Sequence, residues 1–360
     1  MTASPSPRDA IQAVFRSFPD PESGRGLDTF DQVQDVQLED GRLAFTLALT
    51  TWSAPLWDDV VAGLSEQLRA AVPSLEAVEI TRQIQHRPPA KLGELGLAVK
   101  SLIAVGSGKG GVGKSTIAAM LALSLQRAGS RVGLLDADVY GPSIPHLLGL
   151  TGRATMAEDR LQPLFLDGMP VMSIGMLIEE DQPLIWRGPM LHSAVTQLLR
   201  DTEWGELDYL IVDMPPGTGD VALSLSQLVP LTGAVVVCTP QDVALLDAVR
   251  AIGMFRRIAI PVLGMVENMS GFVCPESGKR YDIFGRGGAR ERAGRLGVPF
   301  LGELPIEIPI RERGDGGRTA ANFTDPRLAS RLEQIAHRLV QQLAEGTAAS
   351  PPLPDLPILG

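Results

Sequence analysis

Lysine is scarce in this 360-residue chain, which has five against 27 arginines. Cysteine is scarcer still. Cys238 and Cys274 are the only two, which excludes a disulfide framework and agrees with a reducing compartment. No run approaches the roughly 18 consecutive apolar residues that a membrane span needs. The N-terminal Met1-Thr2-Ala3-Ser4-Pro5-Ser6-Pro7 lacks the apolar core of a signal peptide, so the expected location is the cytoplasm. Positive charge is also short: 32 Lys and Arg against 42 Asp and Glu leave a formal charge of −10. That balance argues against nonspecific nucleic-acid binding and offers no basic face to anionic lipid, so neither nucleic acid nor membrane is an expected partner. With 44% hydrophobic residues, the chain has material for one large core or two smaller ones.

Two of the five lysines lie in one short run, Gly108-Lys109-Gly110-Gly111-Val112-Gly113-Lys114-Ser115-Thr116. Positions 108 to 115 satisfy G-x-x-x-x-G-K-[ST], preceded by the apolar Leu102-Ile103-Ala104-Val105 and followed by helix formers from Ile117 to Leu123. Strand, glycine loop and helix come in the order that a phosphate cradle requires. The glycines permit backbone angles closed to other residues, so successive amides can curl around a polyphosphate at a helix N-terminus. The expected ligand is ATP. Lys114 is expected to neutralise the β and γ phosphates, Ser115 to offer its hydroxyl to Mg²⁺ and Thr116 its own to a phosphate. A side chain as early in the loop as Lys109 points outward, within reach of a nucleotide held by a partner subunit.

Acids at strand ends complete the pattern. Leu134-Leu135-Asp136-Ala137-Asp138 ends one apolar run with two carboxylates, and strand ends are where open α/β sheets bind ligands. Tyr209-Leu210-Ile211-Val212-Asp213 is apolar up to its terminal acid, which is expected to hold Mg²⁺ through water. The following Met214-Pro215-Pro216-Gly217-Thr218-Gly219-Asp220 is a glycine-bearing loop able to follow a γ-phosphate. Glu267-Asn268-Met269-Ser270 is read as the close of a later strand, with Asn268 as the adenine contact, helped by a Glu303-Leu304-Pro305 loop.

Residues 1–84 read as a small α/β domain: a helix at 10–18, an Asp20-Pro21-Glu22 turn, a hairpin at Glu39-Asp40-Gly41-Arg42, a strand alternating Leu43, Phe45, Leu47 and Leu49, a helix over 56–72 and a strand at 77–80. Residues 85–100, with Pro88-Pro89, read as a linker. Over 101–345, buried strands near 101–106, 131–135, 170–174, 208–213, 234–238, 262–266 and 298–302 alternate with helical stretches. That rhythm predicts a doubly wound, mostly parallel sheet. The proline-rich tail over 346–360 carries no expected chemistry.

The glycine loop resembles the deviant Walker A motif of the nitrogenase iron protein, MinD and ParA class, in which a lysine at the place of Lys109 contacts phosphate across a dimer. This resemblance implies that Asp136 to Pro145 is switch I, with Asp138 orienting the attacking water and Asp136 supporting the Mg²⁺ shell, and that Met214 to Asp220 is switch II. Those two runs, with Ile185-Trp186-Arg187-Gly188-Pro189-Met190, Thr239-Pro240-Gln241-Asp242-Val243-Ala244 and Tyr281-Asp282-Ile283-Phe284-Gly285, resemble the Mrp/ApbC family. Residues 1–84 resemble the metal-sulfur cluster assembly domain that often precedes such an ATPase, except that Thr51-Trp52-Ser53-Ala54-Pro55 lacks the cysteine common there. The resemblance implies a homodimeric ATPase that carries a [4Fe-4S] cluster to apo-proteins. In place of the family's usual Cys-x-x-Cys this chain reads Cys274-Pro275-Glu276-Ser277, so Cys274 is either a residual cluster ligand or a thiol without metal. A MinD-like or ParA-like switch acting through protein partners without a cluster is the alternative.

Overall fold

A computed structural model describes residues 6–139, 141–177, 188–217 and 219–349. It divides into two compact units, one of Met1–Arg87 with Val340–Gly360, the other of Pro88–Leu339. Tyr140, Ile185 to Arg187, Thr218 and the prolines beyond 350 lie outside the described residues.

The first unit opens with α1 (Pro7–Ser17), whose N-terminus is a capping box. The Ser6 hydroxyl accepts from the Asp9 amide at 3.2 Å, and the Asp9 carboxylate accepts from the Ser6 amide at 3.3 Å. Ile11, Val14 and Phe15, at helical spacing, form the buried face. β1 (Val33–Glu39) and β2 (Arg42–Leu49) pair antiparallel through Asp40 and Gly41, both with positive φ, as a two-residue hairpin turn of this kind requires. Leu43, Phe45, Leu47 and Leu49 are all buried on one face, as their alternation predicts, and the Phe45 ring meets Phe15 edge-on at 5.1 Å. After α2 (Trp57–Ala71), β3 (Ala77–Ile84) joins β2 in parallel. The Asp20-Pro21-Glu22 turn is held by a buried network. Asp20 accepts from the Ser23 hydroxyl at 2.6 Å, the Gln32 amide at 3.1 Å and the Arg87 guanidinium at 3.0 Å.

Part of the segment expected as a linker is strand. β4 (Lys91–Leu92) pairs antiparallel with β5 (Leu97–Ser107), so the second unit's sheet begins well before residue 101. Then follow α3 (Lys114–Ala128), β6 (Val132–Asp136), α4 (Ile144–Leu148), the hairpin of β7 (Thr155–Ala157) and β8 (Arg160–Gln162), β9 (Leu164–Leu166), β10 (Met169–Ser173), α5 (Gly188–Asp201), β11 (Leu207–Asp213) and α6 (Gly219–Leu228). The chain continues through β12 (Gly233–Cys238), α7 (Asp242–Arg257), β13 (Val262–Val273), β14 (Arg280–Tyr281), α8 (Gly288–Leu296), β15 (Phe300–Ile306), α9 (Ile308–Asp315) and α10 (Pro326–Ala349). The sheet order is β14-β13-β12-β5-β11-β6-β10-β9, with β15 also on β13 and β4 on β5. Its centre, β13-β12-β5-β11-β6-β10, is parallel throughout. β5, the strand before the glycine loop, thus has β11 on one side and β12 on the other, and the ends of β5, β11 and β6 converge on one edge.

Two expectations change here. β13 does not close at Ser270 but runs to Val273, through a register shift where Met269 (φ 59°) and Gly271 (φ 74°) adopt left-handed backbone. Glu303-Leu304-Pro305 is not a loop: all three lie inside β15.

Candidate functional site

The loop between β5 and α3 encloses a cavity of about 290 Å³ lined by Lys109, Gly110, Gly111, Gly113, Lys114, Ser115, Thr116, Asp138, Ser143 and Pro216 among others. Gly111 (φ 77°) and Gly113 (φ 80°) take the backbone that curls the amides inward. Two glycines are also fixed by crowding. A Cβ on Gly108 would lie 2.2 Å from the Asp247 carbonyl of α7, and one on Gly113 would lie 2.2 Å from Asn268 Nδ2. Val112 is buried and presents only its backbone, its carbonyl accepting from Asn268 Nδ2 at 2.9 Å. Asn268 therefore braces the rim of the cradle. Pro305 is buried in β15 and does not line the cavity.

Lys114 is the electrostatic centre. Its side chain is 6% exposed, and its ammonium sits 2.5 Å from Asp213 Oδ1, 3.5 Å from Asp138 Oδ2 and 3.3 Å from Ser115 Oγ. Asp213 and Asp136 are register partners on β11 and β6, which sets two buried carboxylates side by side. Burial, with the Asp213 charge second, pushes the Asp136 carboxyl up to about 7. Burial also raises Asp213, against the opposing effect of Lys114.

Asp138 Oδ1 and Asp213 Oδ2 are buried without a hydrogen-bond partner among the described residues. Orphan carboxylate oxygens are costly unless something positive meets them. A hydrated divalent cation beside a polyphosphate is of the right chemistry, so the donor set fits Mg²⁺ and a nucleoside triphosphate. Lys109 is half-buried at the cavity wall, and among the described residues its ammonium has no carboxylate partner.

Asp136 takes a different place from the one expected. Its oxygens accept from the amides of Asp138 at 3.1 Å, Ser143 at 3.0 Å and Ile144 at 3.1 Å, and from the Ser173 hydroxyl at 3.1 Å. With its lone pairs turned to the loop, it stands behind Asp138 as an organiser rather than facing the cavity. Ser173 leaves no signal in the sequence, because a hydrogen bond between neighbouring strands has no fixed spacing. Glu267 is a second hidden organiser. Fully buried, it accepts from the Ser270 hydroxyl at 2.6 Å and from the Gly287 and Ala289 amides at 2.7 Å each, capping α8.

Cys274 lies apart, at the tip of the β13–β14 hairpin, with its amide donating to the Lys279 carbonyl at 2.9 Å. The Ser277 hydroxyl foremost, then the Ser277 and Glu276 amides, hold its thiol below the usual range. Cys238 is buried in β12, which pushes it up to about 12. Among the described residues no group of three or more His, Cys, Asp or Glu is gathered for a metal, and Cys274 belongs to no such group.

A cradle built to wrap phosphate, opening on carboxylate oxygens that lack partners and set in a parallel sheet, is the arrangement of a P-loop NTPase. Residues 98–342 match the family described as NUBPL iron-transfer P-loop NTPase, and residues 8–81 match that of iron-sulfur cluster assembly protein. The chain belongs to the NUBPL iron-transfer P-loop NTPase family. It is 46% identical to the iron-sulfur cluster carrier protein of Deinococcus radiodurans over 98% of this chain and 99% of the relative. A solved nucleotide-binding protein from Archaeoglobus fulgidus, in complex with ADP, is 41% identical over 62% of this chain and 88% of its own, with a TM-score of 0.55. The cell division ATPase MinD of Pyrococcus furiosus, 20% identical over 66% of this chain and 97% of its own at a TM-score of 0.50, shares the fold. No described helix is long and apolar enough to cross a membrane.

Proposed function

We propose that this protein is a cytoplasmic, ATP-hydrolysing carrier that takes up an iron-sulfur cluster and delivers it to apo-proteins, working as a homodimer without nucleic acid or membrane partners. The observation that carries the reading is the Lys114–Asp138–Asp213 cluster with its two orphan oxygens, in a chain of an iron-transfer family. When bound, Mg²⁺ supplies charge neutralisation for the phosphates. The chain's own part is to hold and orient. The amides of Gly110, Gly111, Val112 and Gly113 wrap the phosphate, Lys114 turns from Asp213 toward it, and the hydroxyls of Ser115 and Thr116 and the carboxylate of Asp213 complete the cation and phosphate contacts. Asp138 orients the attacking water, and Asn268 stands at the base end of the cradle, with Pro305 in the strand behind.

Lys109 and an exposed apolar surface support the dimer. Val243 and Leu246 on α7 are 66% and 52% exposed, and Ile283 beyond the Cys274 hairpin is 58% exposed. Val243 and Leu246 stand one helical turn apart and so share one exposed face of α7. Two chains facing each other would offer two Cys274 thiolates, and two Ser277 hydroxyls where the family's second cysteines stand. That set is weaker than the four thiolates a [4Fe-4S] cluster normally takes, and it suits cargo that must leave. The single thiol also favours a second reading, a nucleotide-driven switch that acts on protein partners without a cluster.

The two readings part in anaerobic reconstitution with iron and sulfide. Wild type should gain the broad visible absorption of a cluster and Cys274→Ala should not. Identical featureless spectra would leave the switch reading. The dimer is checked by sedimentation with ATP, where wild type should run as a dimer and Lys109→Ala as a monomer.

A further inference from the structure

Ser173 ends β10 directly beside Asp136, its register partner on β6, and is fully buried. Its hydroxyl accepts from the Gly175 amide at 3.1 Å and lies 3.1 Å from Asp136 Oδ2. Asp136 Oδ2 already accepts two backbone N–H groups and has no proton to give, so the Ser173 hydroxyl is the donor to it. Asp136 in turn receives the Asp138 amide on Oδ1 and the Ser143 and Ile144 amides on Oδ2. Both ends of the loop that carries Asp138 are therefore tied to one carboxylate, and of the four donors recorded on it Ser173 alone comes from outside that loop. Were it missing, the carboxylate would turn with the loop it is meant to hold.

We propose that Ser173 is a positioning residue for nucleotide hydrolysis: it fixes the Asp136 carboxylate from the neighbouring strand, and through it the place of Asp138 at the cavity. This rests on reading the site as an ATPase, with Asp138 acting in turnover. Ser173 is not among the residues lining the cavity, so it acts on catalysis and not on nucleotide affinity. Its competing role would be a local cap on the turn at Ile174–Met176, which the Ser173–Gly175 bond alone would serve.

Ser173→Thr and Ser173→Val have nearly the same shape and differ by the hydroxyl, which makes them the informative pair. Steady-state ATPase rates, binding of a fluorescent ATP analogue and thermal melting are measured for both and for wild type. The expected result is a kcat about tenfold lower in Ser173→Val than in Ser173→Thr, because small misplacements of a catalytic group cost rate steeply. KM and analogue affinity should agree within about twofold, and the melting temperatures within about 2 °C. Equal kcat in the two variants overturns the proposal. So does a loss in Ser173→Val of rate, affinity and melting temperature together, which would make the hydroxyl a folding element. Absence of turnover in wild type would instead strike the ATPase reading itself.

Discussion

Lys114 holds its place in this structure against two carboxylates in a nearly dry setting. Removing one partner of a buried pair costs about 3–5 kcal/mol, because the opposite charge is left uncompensated. Lys114→Ala should therefore lose both nucleotide binding and thermal stability. The stability loss should shrink toward acid pH. Asp213 already sits above the ordinary carboxylate range, so without the ammonium it takes up a proton as pH falls, and the uncompensated charge disappears. Melting curves of wild type and Lys114→Ala between about pH 5 and 8 would show the gap narrowing, and a constant gap would contradict the charge argument. At the other functional position, the Cys274 thiolate is stabilised by Ser277, so alkylation by iodoacetamide should reach half its maximal rate below the ordinary cysteine pH of about 8.5. Ser277→Ala should move that midpoint upward. Cys238, buried and held protonated, should react only on unfolding.

The elements around the loop are as constrained as the loop itself. Gly108 lets the strand end pass against the backbone of α7, and a methyl there would strike the Asp247 carbonyl, which cannot rotate away. Gly108→Ala should displace the loop from the helix, lowering stability by about 1–3 kcal/mol and weakening nucleotide binding more than tenfold. Gly110→Ala is the control for stability, since its Cβ would find nothing nearer than a Pro216 carbon at 3.9 Å. Calorimetry and nucleotide titration of the pair would separate backbone crowding from a general intolerance of side chains. This contrast was half legible in the sequence. The apolar runs ending at Asp136 and Asp213 marked the central parallel strands, because strands buried on both faces read as continuous apolar stretches. The glycine pattern marked the cradle, but not which glycine faces protein and which faces solvent. The hairpin of β4 and β5 hid behind Pro88-Pro89, and the extension of β13 hid behind Met269 and Gly271, whose left-handed backbone resembles a turn. Pro305 looked like a loop residue, yet among the described strands β15 pairs with β13 alone, and an edge strand tolerates proline. Asp136 was visible as an acid at a strand end; that it faces a loop and a serine was set by strand register.

Across the whole molecule, the first unit is discontinuous in sequence: Met1–Arg87 is joined by Val340–Gly360, which includes the last ten described residues, 340–349. Within that unit Gln341 bonds Asp59 at 3.1 Å, Gly24 runs beneath the Thr347 carbonyl, and Ala344 and Ala348 share an apolar cleft of about 280 Å³ with Phe18, Leu56 and Val60. A ten-residue helix is marginal in isolation, and residues 1–87 without it would expose the apolar wall it covers. The two pieces should stabilise each other. A fragment of residues 1–87 should melt at a clearly lower temperature and bind a hydrophobic dye, whereas the same fragment followed by a flexible linker and residues 340–349 should melt cooperatively and lose the dye. If the two fragments melt alike, the C-terminal turns of α10 contribute nothing to that core. A difference would mean that the small unit is complete only after the whole NTPase unit has been synthesised, because its last helix is the final described part of the chain.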